Sequence, residues 1–90
     1  MITVSQKVVV LSKDGCHLCE KAIDALKDLS EEYGLQLEII DIRDNGALYK
    51  EFFLRIPVIK IDGKIVFEAS NVAHPDDYRT NLVRIVKSLN

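Results

Sequence analysis

Tryptophan is absent from this chain of 90 residues, and methionine, proline, cysteine and glycine are scarce: one Met, two Pro, two Cys and four Gly. So few glycines and prolines leave no flexible linker, repeat or low-complexity segment. Two cysteines do not supply the four ligands of a structural zinc site. Charge of either sign is not in excess. Twelve basic and fourteen acidic residues give a net charge of −2, and no basic stripe is present, so nucleic acid is not an expected partner. No apolar run approaches the ~18 residues of a membrane span. The start, Met1-Ile2-Thr3-Val4-Ser5-Gln6-Lys7, has neither a charged n-region nor a long apolar h-region, so no signal peptide is read and a cytoplasmic location is expected.

What is present is enough for one domain over residues 1–90. At 48% hydrophobic content the chain can bury its own core, being longer than the roughly 40 residues below which disulfide or metal staples become usual. Lys7-Val8-Val9-Val10-Leu11 is apolar and β-branched without alternation, which predicts a strand buried on both faces. From Leu18 the spacing turns helical, with Leu18, Ala22, Ile23, Leu26, Leu29 and Tyr33 on one face and Gly34 placed as a C-cap. Leu35-Gln36-Leu37-Glu38-Ile39 alternates as a second strand running to about Ile42. Asn45 is placed to cap a short helix through Leu48, Tyr49, Phe52 and Phe53, whose aromatics are expected in core or half-buried positions. Pro57 precedes Val58-Ile59-Lys60-Ile61. The dipeptide Asp62-Gly63 predicts a hairpin returning through Lys64-Ile65-Val66-Phe67-Glu68, because a type I′ turn needs positive φ twice. A polar loop over residues 69–74 then leads to a last helix with Pro75 in its first turn and Tyr78, Leu82, Ile85, Val86 and Leu89 inward. The order is β-α-β-α-β-β-α, an α/β fold. If the first strand is central, its carboxyl end is a topological switch point, where open α/β sheets bind ligands.

The two cysteines lie at that point, in Lys13-Asp14-Gly15-Cys16-His17-Leu18-Cys19-Glu20. A helix start carries unpaired N–H groups and a partial positive charge, so a thiol held there loses its proton more easily. The thiolate is the species that attacks disulfides. Cys16 is thus the expected nucleophile and Cys19 the resolving thiol. A buried, inert pair is the plainer alternative.

These residues resemble the glutaredoxins of the thioredoxin-like superfamily, and most closely a short divergent group whose motif reads C-x-L-C-E. The resemblance rests on Cys16-His17-Leu18-Cys19, Lys13 three residues before, Ile56-Pro57 at the start of the third strand, and the order of elements. It implies a thioredoxin-like (glutaredoxin) fold with a four-stranded mixed sheet flanked by helices. It also implies a redox-active cysteine pair that reduces a protein or small-molecule disulfide, with glutathione or a thioredoxin-reductase-type protein restoring the dithiol. No bound cofactor and no metal site are expected, and a monomer is. The resemblance further implies a cis Ile56–Pro57 bond packed against the cysteines, with the backbone of Ile56 offered to an extended substrate; proline statistics alone give cis only about 5–6% of the time. Two departures stand out. Glutaredoxins usually carry Cys-Pro-Tyr-Cys, and a Gly-Gly pair with an acidic residue after the fourth strand that hold glutathione. Here the dipeptide is His17-Leu18 and the stretch is Glu68-Ala69-Ser70-Asn71.

The remaining candidates each carry two readings. Lys13 stabilises a thiolate or a substrate carboxylate, or is a loop lysine beside Asp14. His17, when protonated, favours the neighbouring thiolate, or is a solvent-exposed residue of little effect. Ser70 and Asn71 line the far side of the crevice in place of Gly-Gly, or are plain loop residues, which is the preferred reading. His74 reads as a helix-start residue. Besides the dithiol oxidoreductase, two other functions fit the motif: metal or iron–sulfur binding through Cys16 and Cys19 shared between chains, and a redox-inactive adaptor on the same fold.

Overall fold

In the computed structural model, which describes residues 6–72 and 74–89, four strands form one mixed sheet in the order β2-β1-β3-β4. The strands are β1 (Lys7–Ser12), β2 (Gln36–Asp41), β3 (Val58–Ile61) and β4 (Lys64–Glu68); the helices are α1 (His17–Tyr33), α2 (Gly46–Phe52) and α3 (Tyr78–Lys87). β1 pairs in parallel with β2 and antiparallel with β3, and β3 pairs antiparallel with β4. The central position of β1 explains its unbroken apolar run. Val8 and Val10 enter the core under α1 and α3, whereas Leu11 enters a second core under α2 with Val9 beside it.

Local chemistry sets most of the element ends. Gly34 closes α1 in the left-handed conformation, its N–H donating to the Ser30 carbonyl. The Asn45 side chain accepts hydrogen bonds from the N–H groups of Ala47 and Leu48, which start α2. Asp62 and Gly63 both have positive φ, 54° and 81°, as the hairpin turn requires. β2 ends at Asp41, one residue short of its expected end, because Ile42 turns inward as the start of a 3-10 turn over Ile42–Asp44 and is fully buried. Pro75 opens its own 3-10 turn, Pro75–Asp77, with His74 at its cap position, and α3 follows directly.

Three side chains depart from the expected burial. Leu18 is 37% exposed, since the first turn of α1 stands over the end of the sheet and not over its middle. The inward stripe is Cys19, Ala22, Ala25, Leu26 and Leu29. Tyr49 and Phe53 are also exposed and stack on one another, ring centres 5.5 Å apart. A helix as short as α2 presents one narrow stripe to the sheet. Leu48 and Phe52 occupy that stripe, and Tyr49 and Phe53 lie about 100° around from it.

Candidate active site

β1 delivers the chain to the end of the sheet at Ser12, which is buried. There the chain reverses in a tight turn closed by the Cys16 N–H donating to the Lys13 carbonyl, 3.2 Å. Positive φ occurs at Gly15 (79°) and not at Asp14, the pattern of a type II turn with glycine at its third position. A side chain there would strain the turn, which accounts for glycine directly before the cysteine.

The turn places Cys16 at the N-cap of α1 in an extended conformation. Its sulfur accepts a hydrogen bond from the Cys19 N–H at 3.1 Å, and its carbonyl accepts from the Glu20 N–H at 3.0 Å. One helical turn brings Cys19 back beneath it. The two cysteines form a disulfide with Cα atoms 5.2 Å apart, a separation ordinary for that bond. The two residues differ in access: Cys16 is half-buried, whereas Cys19 is 1% exposed. His17 points into solvent with Nδ1 3.5 Å from the Glu20 carboxylate.

Two different flanks border the pair. On one, β3 begins beside the end of β1. Leu11 pairs with Val58, so continuing the register by one residue sets Ser12 alongside Pro57. The Ile56–Pro57 bond is cis and Pro57 is buried. The Ile56 N–H donates to the Phe52 carbonyl (3.1 Å), and the Pro57 carbonyl accepts from the Ala69 N–H (3.1 Å). Of the Ile56 backbone expected to meet a substrate, the N–H is therefore already engaged inside the protein. Its carbonyl receives no hydrogen bond among the described residues. Next to this loop, Arg55 binds Glu68 through Nε to Oε2 (3.3 Å) and through Nη2 to Oε1, and the Ser70 hydroxyl donates to Oε2 (3.3 Å). The Arg55 guanidinium holds the Glu68 carboxyl below the usual range, against the opposing effect of burial.

The other flank is a hollow of about 480 Å³ on the β2 side, bordered by both cysteines, Lys13, Asp14, Glu20, Asp41 and Arg43. The Arg43 guanidinium grips Asp41 through Nε (3.1 and 3.2 Å) and Nη2 (2.8 Å), while the Arg43 N–H donates to the same carboxylate at 2.9 Å. These contacts hold the Asp41 carboxyl down at about 2. Arg43 also comes within 3.9 Å of Asp14, so Asp14 faces Arg43. Lys13 has no ion pair among the described residues and borders the hollow beside Cys16.

The structure thus brings together Cys16, Cys19 and Lys13, with Ile56 and Pro57 at the same end of the sheet. Ser70 and Asn71 do not border the hollow that holds the cysteines. Ser70 turns to Glu68, and Asn71 faces a separate hollow shared with Phe67, Asn81 and Ile85. Among the described residues, no three His, Cys, Asp or Glu side chains gather as a metal site, and no helix is long and apolar enough to cross a membrane. Sequence reasoning gave no role to Arg55, Glu68, Asp41 or Arg43. The one local signal was the position of Arg55 directly before Ile56-Pro57.

A central β1 feeding a helix whose first turn holds a cysteine pair, beside a cis-proline loop, defines a protein of thioredoxin-like fold with redox capacity. Residues 7–87 match the family model described as Glutaredoxin-like domain (DUF836), and the chain belongs to that family. It is 31% identical to a Nitrosomonas europaea protein solved by NMR, with a TM-score of 0.67, covering 80% of this chain and 91% of that one. An X-ray structure of a protein from X. campestris is 24% identical with a TM-score of 0.62, covering 86% and 96%. Thioredoxin 1 of Thermosipho africanus, 14% identical, shares the fold with a TM-score of 0.59, covering 93% and 98%. Uncharacterized proteins of Mycobacterium bovis and Mycobacterium tuberculosis are 33% identical over 63 residues, 64% of this chain. The match spans about 65% of the length of those relatives.

Proposed function

We propose that the protein is a small dithiol–disulfide oxidoreductase in which Cys16 attacks and Cys19 resolves. One observation carries this reading: Cys16 is half-buried at the start of α1 and its sulfur accepts the Cys19 N–H, while Cys19 is buried beneath it. In the reduced protein, that N–H and the positive end of the helix favour the Cys16 thiolate. The thiolate attacks one sulfur of a substrate disulfide. That S–S bond breaks, the first substrate thiolate leaves, and a mixed disulfide forms at Cys16. Cys19 gives its proton to the first released thiolate and attacks the Cys16 sulfur, releasing the second substrate thiolate. Two electrons pass to the substrate, and the Cys16–Cys19 disulfide remains.

The other candidates take supporting parts. Lys13 contributes positive charge at the rim, favourable to a thiolate or a substrate carboxylate. The Ile56 carbonyl, on a loop fixed by buried Pro57, offers an acceptor to an extended peptide. His17 adds charge beside Cys16 when protonated, and Ser70 and Asn71, outside the hollow that holds the cysteines, are plain loop residues. A protein or small-molecule disulfide is the substrate, and glutathione or a thioredoxin-reductase-type protein is the reductant. The protein acts as a cytoplasmic monomer.

The test is to trap the intermediate. A Cys19→Ser variant exposed to a disulfide peptide should hold a mixed disulfide at Cys16, visible by mass spectrometry. A Cys16 that stays unmodified across neutral pH would end this reading. Comparing turnover with glutathione plus glutathione reductase against thioredoxin reductase then identifies the reductant class.

A further inference from the structure

Arg55 and Glu68 approach the Ile56–Pro57 loop from opposite sides. Arg55 lies two residues before Pro57, and Glu68 pairs with Val58, the residue directly after it. We propose that Arg55 and Glu68 form a positioning pair, which holds the Ile56–Pro57 loop ready to receive the backbone of a peptide disulfide beside Cys16. This rests on the oxidoreductase reading above and assigns its substrate class: disulfides within peptide chains, in preference to small disulfides without a backbone.

Several observations support the pair as a clamp. Two guanidinium nitrogens meet two carboxylate oxygens, and such two-pronged contacts fix direction as well as distance. The Arg55 guanidinium also lies 4.6 Å over the ring of Phe52, which is buried. The side chains are 33% and 15% exposed, so solvent and salt screen them less than a pair standing free on the surface. Besides buried Pro57 and the Val58–Glu68 strand pairing, other restraints on the loop are few. The N–H groups of Arg55 and Ile56 share one acceptor, the Phe52 carbonyl, at 2.8 and 3.1 Å, and one further bond joins Ala69 to Pro57. The core beneath, Leu11, Ile42, Phe52 and Val58, is small. Buried Pro57 fixes the plane of the Ile56–Pro57 peptide, so loss of the side-chain clamp loosens the Arg55–Ile56 stretch that leads into it, while Cys16 and its N-cap geometry, carried by β1 and α1, stay as they are. The clamp therefore acts on peptide binding and not on sulfur chemistry.

The experiment removes the pair without leaving a bare charge. In the double variant Arg55→Met/Glu68→Gln, kcat/KM is measured for an oxidised peptide and for bis(2-hydroxyethyl) disulfide, with dithiothreitol as reductant. The pH profile of Cys16 alkylation is recorded in the reduced protein. The expected result is a fall on the order of 10-fold for the peptide, about 1.4 kcal/mol of transition-state binding. The small disulfide and the alkylation profile should not change. The exchanged pair, Arg55→Glu/Glu68→Arg, should recover part of the loss. If the double variant does not fold, Glu68→Gln alone is read in the same way. Equal loss on both substrates, or loss on neither, overturns the positioning role and leaves the oxidoreductase reading standing. A wild-type protein inactive on both substrates overturns that reading, and the role of the pair with it.

Discussion

The two faces of the sheet are built unequally. One is covered by α1 and α3, which bury Val8, Val10, Leu26, Leu29, Ile59, Phe67, Tyr78, Leu82 and Val86 in a continuous core. Among the described residues, the other is covered by α2 and the 3-10 turn before it, over a core of Leu11, Ile42, Phe52 and Val58. The thick face can supply most of the hydrophobic stabilisation, because that stabilisation scales with apolar area removed from water. The thin face carries the approach to the cis-proline loop, the Arg55–Glu68 clamp and two exposed aromatic rings. Regions with few buried contacts open at lower free energy than the core. In this protein such a region adjoins half-buried Cys16, whereas Cys16 itself is carried by elements of the thick face.

That inequality can be broken or sharpened by four measurements. The largest effect is expected on the thick face. Leu26→Ala removes a fully buried side chain and should cost about 2–5 kcal/mol in denaturant unfolding. A loss of less than about 1 kcal/mol would mean that the thick face does not dominate stability. On the thin face, Asn45→Ala deletes the acceptor of the Ala47 and Leu48 N–H groups and should cost about 1 kcal/mol. Hydrogen exchange should then quicken in α2 while the amides of β1 and α1 keep their protection. Uniform quickening would show that the two faces open together.

Acid sharpens the contrast where the thin core meets the hollow beside Cys16. The folded-state pKa of Asp41, held down by Arg43, is about 2, below the ordinary aspartate value near ~3.9. A lowered folded-state pKa gives a contribution that is complete above the ordinary value and is lost as pH falls through the folded value. The melting temperature of the wild type should therefore fall more steeply between about pH 4 and pH 2 than that of Asp41→Asn. Parallel curves would remove Asp41 from the acid response. The smallest effect belongs to Phe53→Ser. Because that ring is 47% exposed and stacks only on Tyr49 among aromatic side chains described, stability should stay within about 0.5 kcal/mol.

Much of this architecture was legible in the chain itself. The unalternating Val8-Val9-Val10 run pointed to a central strand, Asp62-Gly63 to the hairpin, and Asn45 and Gly34 to helix ends. Each rests on backbone preference or periodicity within a few residues. The same short-range logic placed Cys16 at the start of a helix and the cysteine pair at the end of the sheet. It failed where exposure depends on what lies opposite. Tyr49, Phe53 and Leu18 have the spacing of buried residues, but the elements that carry them are too short or too near the sheet end to cover them. The contact between Arg55 and Glu68 left no periodic trace, because its partners belong to different elements thirteen positions apart.

The order of elements, the caps and turns, and the spacing that lets one helical turn bring two sulfurs together were settled by the chain alone, since these follow from local backbone geometry. Only the assembled sheet decided that Tyr49 and Phe53 stay exposed, that Arg43 and not Lys13 faces Asp14, and that Arg55 reaches Glu68. Burial and ion pairing depend on the distances between elements, which are fixed only when the strands lie side by side.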